Sequence, residues 1–122
     1  MADAAPPPEH PGSDWTFAYE PPLHEVFPDL LESWSGFMAR LEALPAPDRK
    51  THELIRLVCS VVLRHGPGVE RHAMLAREVG ATWEEIVGAI VLTVPGFGIV
   101  PAVQALPAAR QGFDAAPETE AE

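Results

Sequence analysis

Cysteine is nearly absent from this chain: Cys59 stands alone among 122 residues. A single cysteine excludes an internal disulfide framework. Long apolar runs are also missing, since no stretch reaches the roughly 18 residues that a membrane-spanning helix needs. The first residues lack the basic and apolar segments of a secretory signal. We therefore expect a cytoplasmic protein that does not enter a membrane.

Basic residues are scarce. The chain has eight Lys and Arg and 18 Asp and Glu, which gives a net charge of −10. Residues 1–22 and 114–122 each hold four acidic residues and no Lys or Arg. The acidity therefore lies mostly at the ends and leaves the body close to neutral. Nucleic-acid binding needs a basic patch, so we expect no nucleic-acid partner.

Composition divides the chain into three parts. Residues 1–22 form a Pro-rich acidic arm, residues 23–113 a single helical domain, and residues 114–122 an acidic disordered tail. The arm also contains Trp15, Phe17 and Tyr19, which is unusual for a solvated segment. Two interpretations stay open: a flexible arm in solvent, or an arm that docks on the body, a neighbouring subunit or a partner.

Apolar residues recur at helical spacing, and no useful length alternates with the period of a strand. The pattern predicts an all-α protein, a compact bundle of about five helices over residues 28–44, 48–65, 69–79, 82–94 and from 100 onward, with breaks at 66–68 and 95–98. The nearly continuous apolar run 57–63 predicts a buried central helix in which Cys59 serves packing. The run 86–94 predicts a subunit interface, since so small a domain has little interior left to cover it.

Three segments in this order resemble the carboxymuconolactone decarboxylase-like family. Residues 48–62 (DRKTHELIRLVCSVV) resemble its helix with Glu-Leu-Ile, and residues 70–86 (ERHAMLAREVGATWEEI) its His, Gly-Ala-Thr and Glu-Glu-Ile signature. Residues 98–106 (GIVPAVQAL) are similar to a stretch of its decarboxylase branch. The resemblance implies a helical fold and a homotrimer or homohexamer.

The alkylhydroperoxidase D-like branch of that family carries Cys-x-x-Cys-x-x-x-His, preceded by a glutamate. Aligned on His72, the two cysteine positions fall on His65 and Gly68, and the glutamate falls on Glu53. Both thiols are missing, so thiol peroxidase activity is not expected. The decarboxylase branch has Asn-His where this chain has Val103 and Gln104, so one histidine of that chemistry is missing as well.

The candidate catalytic residues are His72, Glu53 and His65. His72 lies on an apolar helix face and is either a buried histidine bonded to a backbone carbonyl or a general acid/base. Glu53 has basic residues at i−4, i−3 and i+3, so it either forms a solvated ion pair or orients the imidazole, as the resemblance implies. His65 either caps a helix or adds a polar group to the pocket.

We therefore expect a family member that acts by His/Glu proton transfer on a small organic acid, lactone or related carbonyl compound, as a lyase or hydrolase. The alternative is a non-catalytic oligomeric scaffold or binding subunit that has lost the active-site residues. No cofactor is expected, because no glycine-rich phosphate motif occurs. No metal is expected either, because the chain has no local His-x-x-x-His motif, although His52, Glu53, His65 and His72 leave metal-assisted hydrolysis open.

Overall fold

The computed structural model describes residues 24–117, so the arm and most of the predicted tail lie outside the described residues. All regular structure within 24–117 is helical, which confirms the predicted all-α class. The chain divides into two units, residues 1–45 and residues 46–122. Among residues 24–117, every helix is too short or too polar to span a bilayer.

Besides the helical residues 24–26, six helices follow one another in the described residues, where the sequence predicted about five. They are α1 (Pro28–Glu42), α2 (Arg49–Val62), α3 (Gly66–Glu78), α4 (Trp83–Val91), α5 (Val94–Phe97) and α6 (Ile99–Ala115). Helix α1 belongs to the first unit and the other five belong to the second. The additional helix, α5, is a single turn where the sequence predicted a break, because Pro95 lies in its first turn, where a missing N–H costs no bond.

Two helix starts are fixed by capping side chains. The Asp48 side chain accepts a hydrogen bond from the Thr51 backbone N–H and caps α2. At α4 the Thr82 side chain accepts from the Glu85 N–H, while the Glu85 carboxylate accepts from the Thr82 N–H. This reciprocal pair is a capping box.

The junction of α2 and α3 corrects the predicted boundaries. Helix α2 ends at Val62 rather than at His65, and the predicted turn 66–68 is already the first turn of α3. Pro67 suits that turn because the first N–H groups of a helix have no partner within it. The connection between the two helices is therefore only three residues long, residues 63–65.

The core of the second unit lies where α3 packs against α2 and α6, its two most extensive helix contacts. Several core positions are alanine, which lets the helix axes approach closely. The buried cluster comprises Leu57, Val61, Val69, Ala73, Ala76, Ala81, Ile86, Ile90, Ala102, Ala105 and Ala109. Burial of these side chains is the main stabilising contribution to the fold.

Helix α2 is not buried all round, so that part of the prediction is wrong. Leu57 and Val61 are buried, but Leu63 is 76% exposed and Cys59 is exposed. Residues two positions apart point about 200° apart on a helix, so Leu57 and Cys59 cannot both face the core. The same division occurs at the end of α4, where Ile90 is buried and Leu92, the residue after the helix, is 79% exposed.

Candidate active site

Glu53 is placed in the second turn of α2 by the Asp48 cap. Thr51 binds both carboxylate oxygens of Asp48, its Oγ1 donating at 2.7 Å and its N–H at 3.2 Å. The hydrogen bond from the Thr51 side chain is the main cause that lowers the pKa of Asp48 below its ordinary value. The cap therefore stays ionised at neutral pH and fixes where the helix begins.

A second contact secures α2 against α4. Lys50 Nζ donates to Glu85 Oε2 at 2.8 Å, and Glu85 is also the capping-box residue of α4. This hydrogen bond lowers the pKa of Glu85 and raises the pKa of Lys50. The sequence offered Lys50 as a neighbour of Glu53 within one helix, but its partner lies 35 residues away.

Glu53 and His72 meet between α2 and α3. The Glu53 side chain has no exposed surface, and its Oε1 lies 3.1 Å from His72 Nδ1. The His72 side chain keeps 18% of its surface exposed, so the imidazole reaches solvent while the carboxylate does not. Because a carboxylate only accepts hydrogen bonds, this contact requires the imidazole proton on Nδ1. Nε2, on the far side of the ring, is then the basic nitrogen.

Arg49 supplies the charge opposite the second oxygen of Glu53. Its Nη2 lies 3.0 Å from Glu53 Oε2, an ion-pair distance one helical turn away. The N–H direction does not meet hydrogen-bond geometry, so Oε2 is in ionic contact without an aligned hydrogen bond among the described residues. A buried carboxylate needs such compensation. The interpretation of Glu53 as a solvated ion pair is wrong, because the carboxylate is fully buried.

His65 lies in the connection between α2 and α3 and is exposed. It occupies the N-cap position of α3 but makes no side-chain cap hydrogen bond. A Cβ added at Gly68 would lie 2.8 Å from His65 Nδ1 and 2.5 Å from Ser60 Oγ. Both side chains therefore border the space that a side chain at position 68 would occupy. No hydrogen bond or ion pair in residues 24–117 joins His65 to the pair of Glu53 and His72.

No third metal ligand joins that pair within the described residues: no other His, Cys, Asp or Glu atom completes a ligand group that includes His72. What the arrangement offers chemically is an imidazole with one nitrogen held by a buried carboxylate and the other nitrogen available. This is the arrangement that orients a histidine for proton transfer in other enzymes.

The family model named Carboxymuconolactone decarboxylase family matches residues 28–111. This chain belongs to the carboxymuconolactone decarboxylase family. The match confirms the resemblance drawn from the three sequence segments. No curated protein and no solved structure matches the chain significantly.

In this carboxymuconolactone decarboxylase family member, the exposed position of Cys59 corrects a prediction from the sequence. Cys59 was predicted to be buried in the middle of α2, and it lies on the outward face instead. Sequence reasoning also missed Arg64, which adopts a left-handed backbone at the end of α2. Helices commonly end with a glycine in this conformation, and the arginine that stands at position 64 instead was the available signal.

Proposed function

We propose that this chain catalyses proton transfer on a small organic acid, lactone or related carbonyl compound, with His72 as the general acid/base and Glu53 as the residue that orients it. The observation that carries the proposal is the 3.1 Å contact between Glu53 Oε1 and His72 Nδ1 beside a partly exposed ring. A carbon next to a carbonyl is acidic enough for an imidazole to remove its proton at neutral pH when the enolate is stabilised.

The proposed cycle balances without a cofactor. Nε2 of His72 removes the proton from the carbon beside the carbonyl, which leaves an enolate and an imidazolium. Glu53 stabilises the imidazolium through Nδ1, and the Arg49 guanidinium lies 3.0 Å from the second oxygen of the buried Glu53 carboxylate. The imidazolium then returns a proton to carbon. Where that carbon itself carries a carboxylate, the bond between them breaks and carbon dioxide leaves, which produces the enolate directly. A His72 imidazolium that has taken its proton from solvent then protonates the carbon, and the neutral imidazole takes a new proton from solvent.

His65 enters this proposal as an auxiliary polar group beside position 68. Its Nδ1 borders the space of the missing Gly68 side chain, where the alkylhydroperoxidase D-like branch has its second thiol. We assign it a role in binding rather than in proton transfer, since no hydrogen bond or ion pair in residues 24–117 joins it to the pair. A His65→Ala variant should raise KM more than it lowers kcat.

The test is proton exchange in heavy water. Wild-type protein is incubated with small β-keto acids and carboxylated lactones, and ¹H NMR follows deuterium entry beside the carbonyl and loss of carbon dioxide. Loss of a general base should slow the reaction about 100-fold or more in His72→Gln. His24→Gln, a histidine of the first unit, is the control and should leave the rate unchanged. A His72→Gln protein as fast as wild type, or wild type inert toward every compound, contradicts the proposal.

A second candidate function is a non-catalytic oligomeric scaffold or binding subunit. The exposed apolar residues at the end of α4 favour it, because Val91 is 53% and Leu92 79% exposed. Adjacent apolar side chains at such exposure favour an interface with another chain. We propose a homotrimer or homohexamer assembled through this segment. These numbers of subunits are the ones that the family resemblance implies. The lone cysteine favours a reducing compartment such as the cytoplasm.

Native mass spectrometry tests the assembly. Wild type should give a trimer or hexamer, and Leu92→Glu should give smaller species, because a charge at a buried interface is unfavourable. Leu63→Glu is a matched control, since Leu63 is exposed to a similar degree but lies at the end of α2. A monomeric wild type, or a Leu92→Glu protein that assembles normally, contradicts this interface.

A further inference from the structure

Arg64 has an uncommon backbone conformation. Its φ is +57°, in the left-handed region that glycine adopts far more readily than other residues. The position ends α2: the Arg64 N–H donates to Val61 O at 3.0 Å and the His65 N–H donates to Ser60 O at 2.9 Å. These two bonds form the motif in which glycine is the usual residue. An arginine here therefore suggests a use for its side chain.

Arg64 lines a cleft of about 90 Å³ within the second unit. Its polar walls include Arg64 and Gln104, and the apolar residues that contribute to its lining include Val61, Val69, Pro101 and Ala105. Val61 and Val69 are each 1% exposed and form the closed floor of the cleft, so its accessible apolar surface comes mainly from less buried lining residues such as Ala105 and Ala108. No ion pair or hydrogen bond occupies the Arg64 guanidinium in the part of the chain that the structure describes.

We propose that this cleft binds a short aliphatic carboxylate, with Arg64 on the carboxylate and the apolar lining on the alkyl chain. A guanidinium pairs with a planar carboxylate through two parallel N–H bonds, which a point charge does not reproduce. One water needs about 10–15 Å³ of such volume, so the cleft accommodates about six to nine heavy atoms. Gln104 offers an amide that binds either carboxylate oxygen. Inorganic phosphate fits less well because it has no apolar part to contact the apolar lining.

This inference goes beyond the proposed function and does not depend on the pair of Glu53 and His72. Neither of these two residues lines the cleft. Binding at Arg64 and proton transfer at His72 can therefore fail separately, and a titration of the His72→Gln protein distinguishes them. That protein should bind the carboxylate with the affinity of wild type.

The test is a ¹H–¹⁵N NMR titration of the full chain with butyrate, with butyramide as the neutral probe of the same shape. Wild type should show saturable shifts at residues 64, 66 and 104 with butyrate, and weaker binding of butyramide. Arg64→Gly should bind butyrate at least about tenfold more weakly than wild type, because the charge-assisted pair is lost. This variant is suited to the question because glycine favours the left-handed backbone, so it should fold at least as well as wild type.

Arg64→Lys should fall between wild type and Arg64→Gly, since it keeps the charge but loses the paired geometry. Arg40→Gln, which removes an arginine of the first unit, should bind as wild type does. The proposal is overturned if Arg64→Gly keeps its affinity for butyrate, if butyramide binds as well as butyrate, or if wild type shows no saturable shift in the cleft. Equal binding of inorganic phosphate and butyrate would also overturn the assignment to a carboxylate.

Discussion

Gly112 of α6 lies against the backbone of Glu70 of α3, so closely that a Cβ at position 112 would overlap the Glu70 carbonyl oxygen. This is the tightest approach of a glycine in the described residues, and it falls between the two helices with the most extensive packing. A carbonyl on a helix backbone cannot move aside as the end of a flexible side chain can. The contact therefore sets the distance between α3 and α6.

Replacement of Gly112 by alanine should destabilise the fold by about 1–3 kcal/mol or more, because the helices must separate or bend. Urea unfolding followed by circular dichroism gives the difference in free energy of unfolding. Gly88→Ala is the matched control: Gly88 is also helical, but a Cβ there meets nothing within 4 Å. It should stabilise the protein by about 0.5–1 kcal/mol. A Gly112→Ala protein as stable as Gly88→Ala would show that the two helices are not in this contact.

The ion pair of Lys50 and Glu85 should make stability depend on pH at both ends of the range. The hydrogen bond between them lowers the pKa of Glu85 from 4.5, so its contribution is present above pH 4.5 and is lost as pH falls through the lowered value. It raises the pKa of Lys50 from 10.5, so that contribution is present below pH 10.5 and is lost as pH rises through the raised value.

Between the pKa of Glu85 and the pKa of Lys50, the free energy of unfolding of Lys50→Met should therefore be lower than that of wild type by a small, constant amount. This difference should shrink in acid and in strong base. Urea unfolding at a series of pH values measures it. Glu84→Gln, at the neighbouring position, should show no comparable margin. A gap between wild type and Lys50→Met that persists unchanged in strong acid would mean that the ion pair does not form.

Much of the helical layout was predictable because helix starts carry local signals. The side chains of Asp48 and Thr82 satisfy N–H groups within their own first turn, so neighbouring residues suffice to recognise them. The start of α3 was missed because Gly66 and Pro67 signal a turn equally well. The end of α2 was missed because Arg64 replaces the glycine that would have marked it.

The candidate site was only partly predictable, for a physical reason. Glu53 and His72 were selected by their spacing in a family pattern, and the structure brings them into contact. Their roles stay predictions. The partner of Lys50 was not predictable, because a lysine can reach either Glu53 on its own helix or Glu85 on another. An apolar run such as 57–63 likewise does not say which of its faces meets the core.

Cys59 should react with a thiol reagent in the folded protein. Its side chain lies on the outward face of α2, away from the buried Leu57 and Val61. An aromatic disulfide reagent added to native protein should release close to one equivalent of chromophore per chain, at a rate that denaturant raises only modestly. Protein unfolded in guanidinium gives the full amplitude for comparison. A thiol that reacts only after unfolding would contradict the exposed position.

The contact between Glu53 and His72 makes a direct prediction about the imidazole. When neutral, His72 should carry its proton on Nδ1, because Glu53 Oε1, 3.1 Å away, can only accept. Most neutral histidines in solution carry it on Nε2 instead, so the result is diagnostic. Long-range ¹H–¹⁵N NMR of labelled protein distinguishes the two nitrogens by their shifts.

Two substitutions separate the effect of the carboxylate from that of the surroundings. Glu53→Gln keeps an acceptor oxygen of nearly the same shape, so the Nδ1 proton should largely stay while turnover of any confirmed substrate falls, since the charge that stabilises the imidazolium is gone. Glu53→Ala removes the acceptor, so the proton should shift toward Nε2. If the wild-type ring carries its proton on Nε2, Glu53 does not orient His72, and the proton-transfer proposal loses the contact on which it rests.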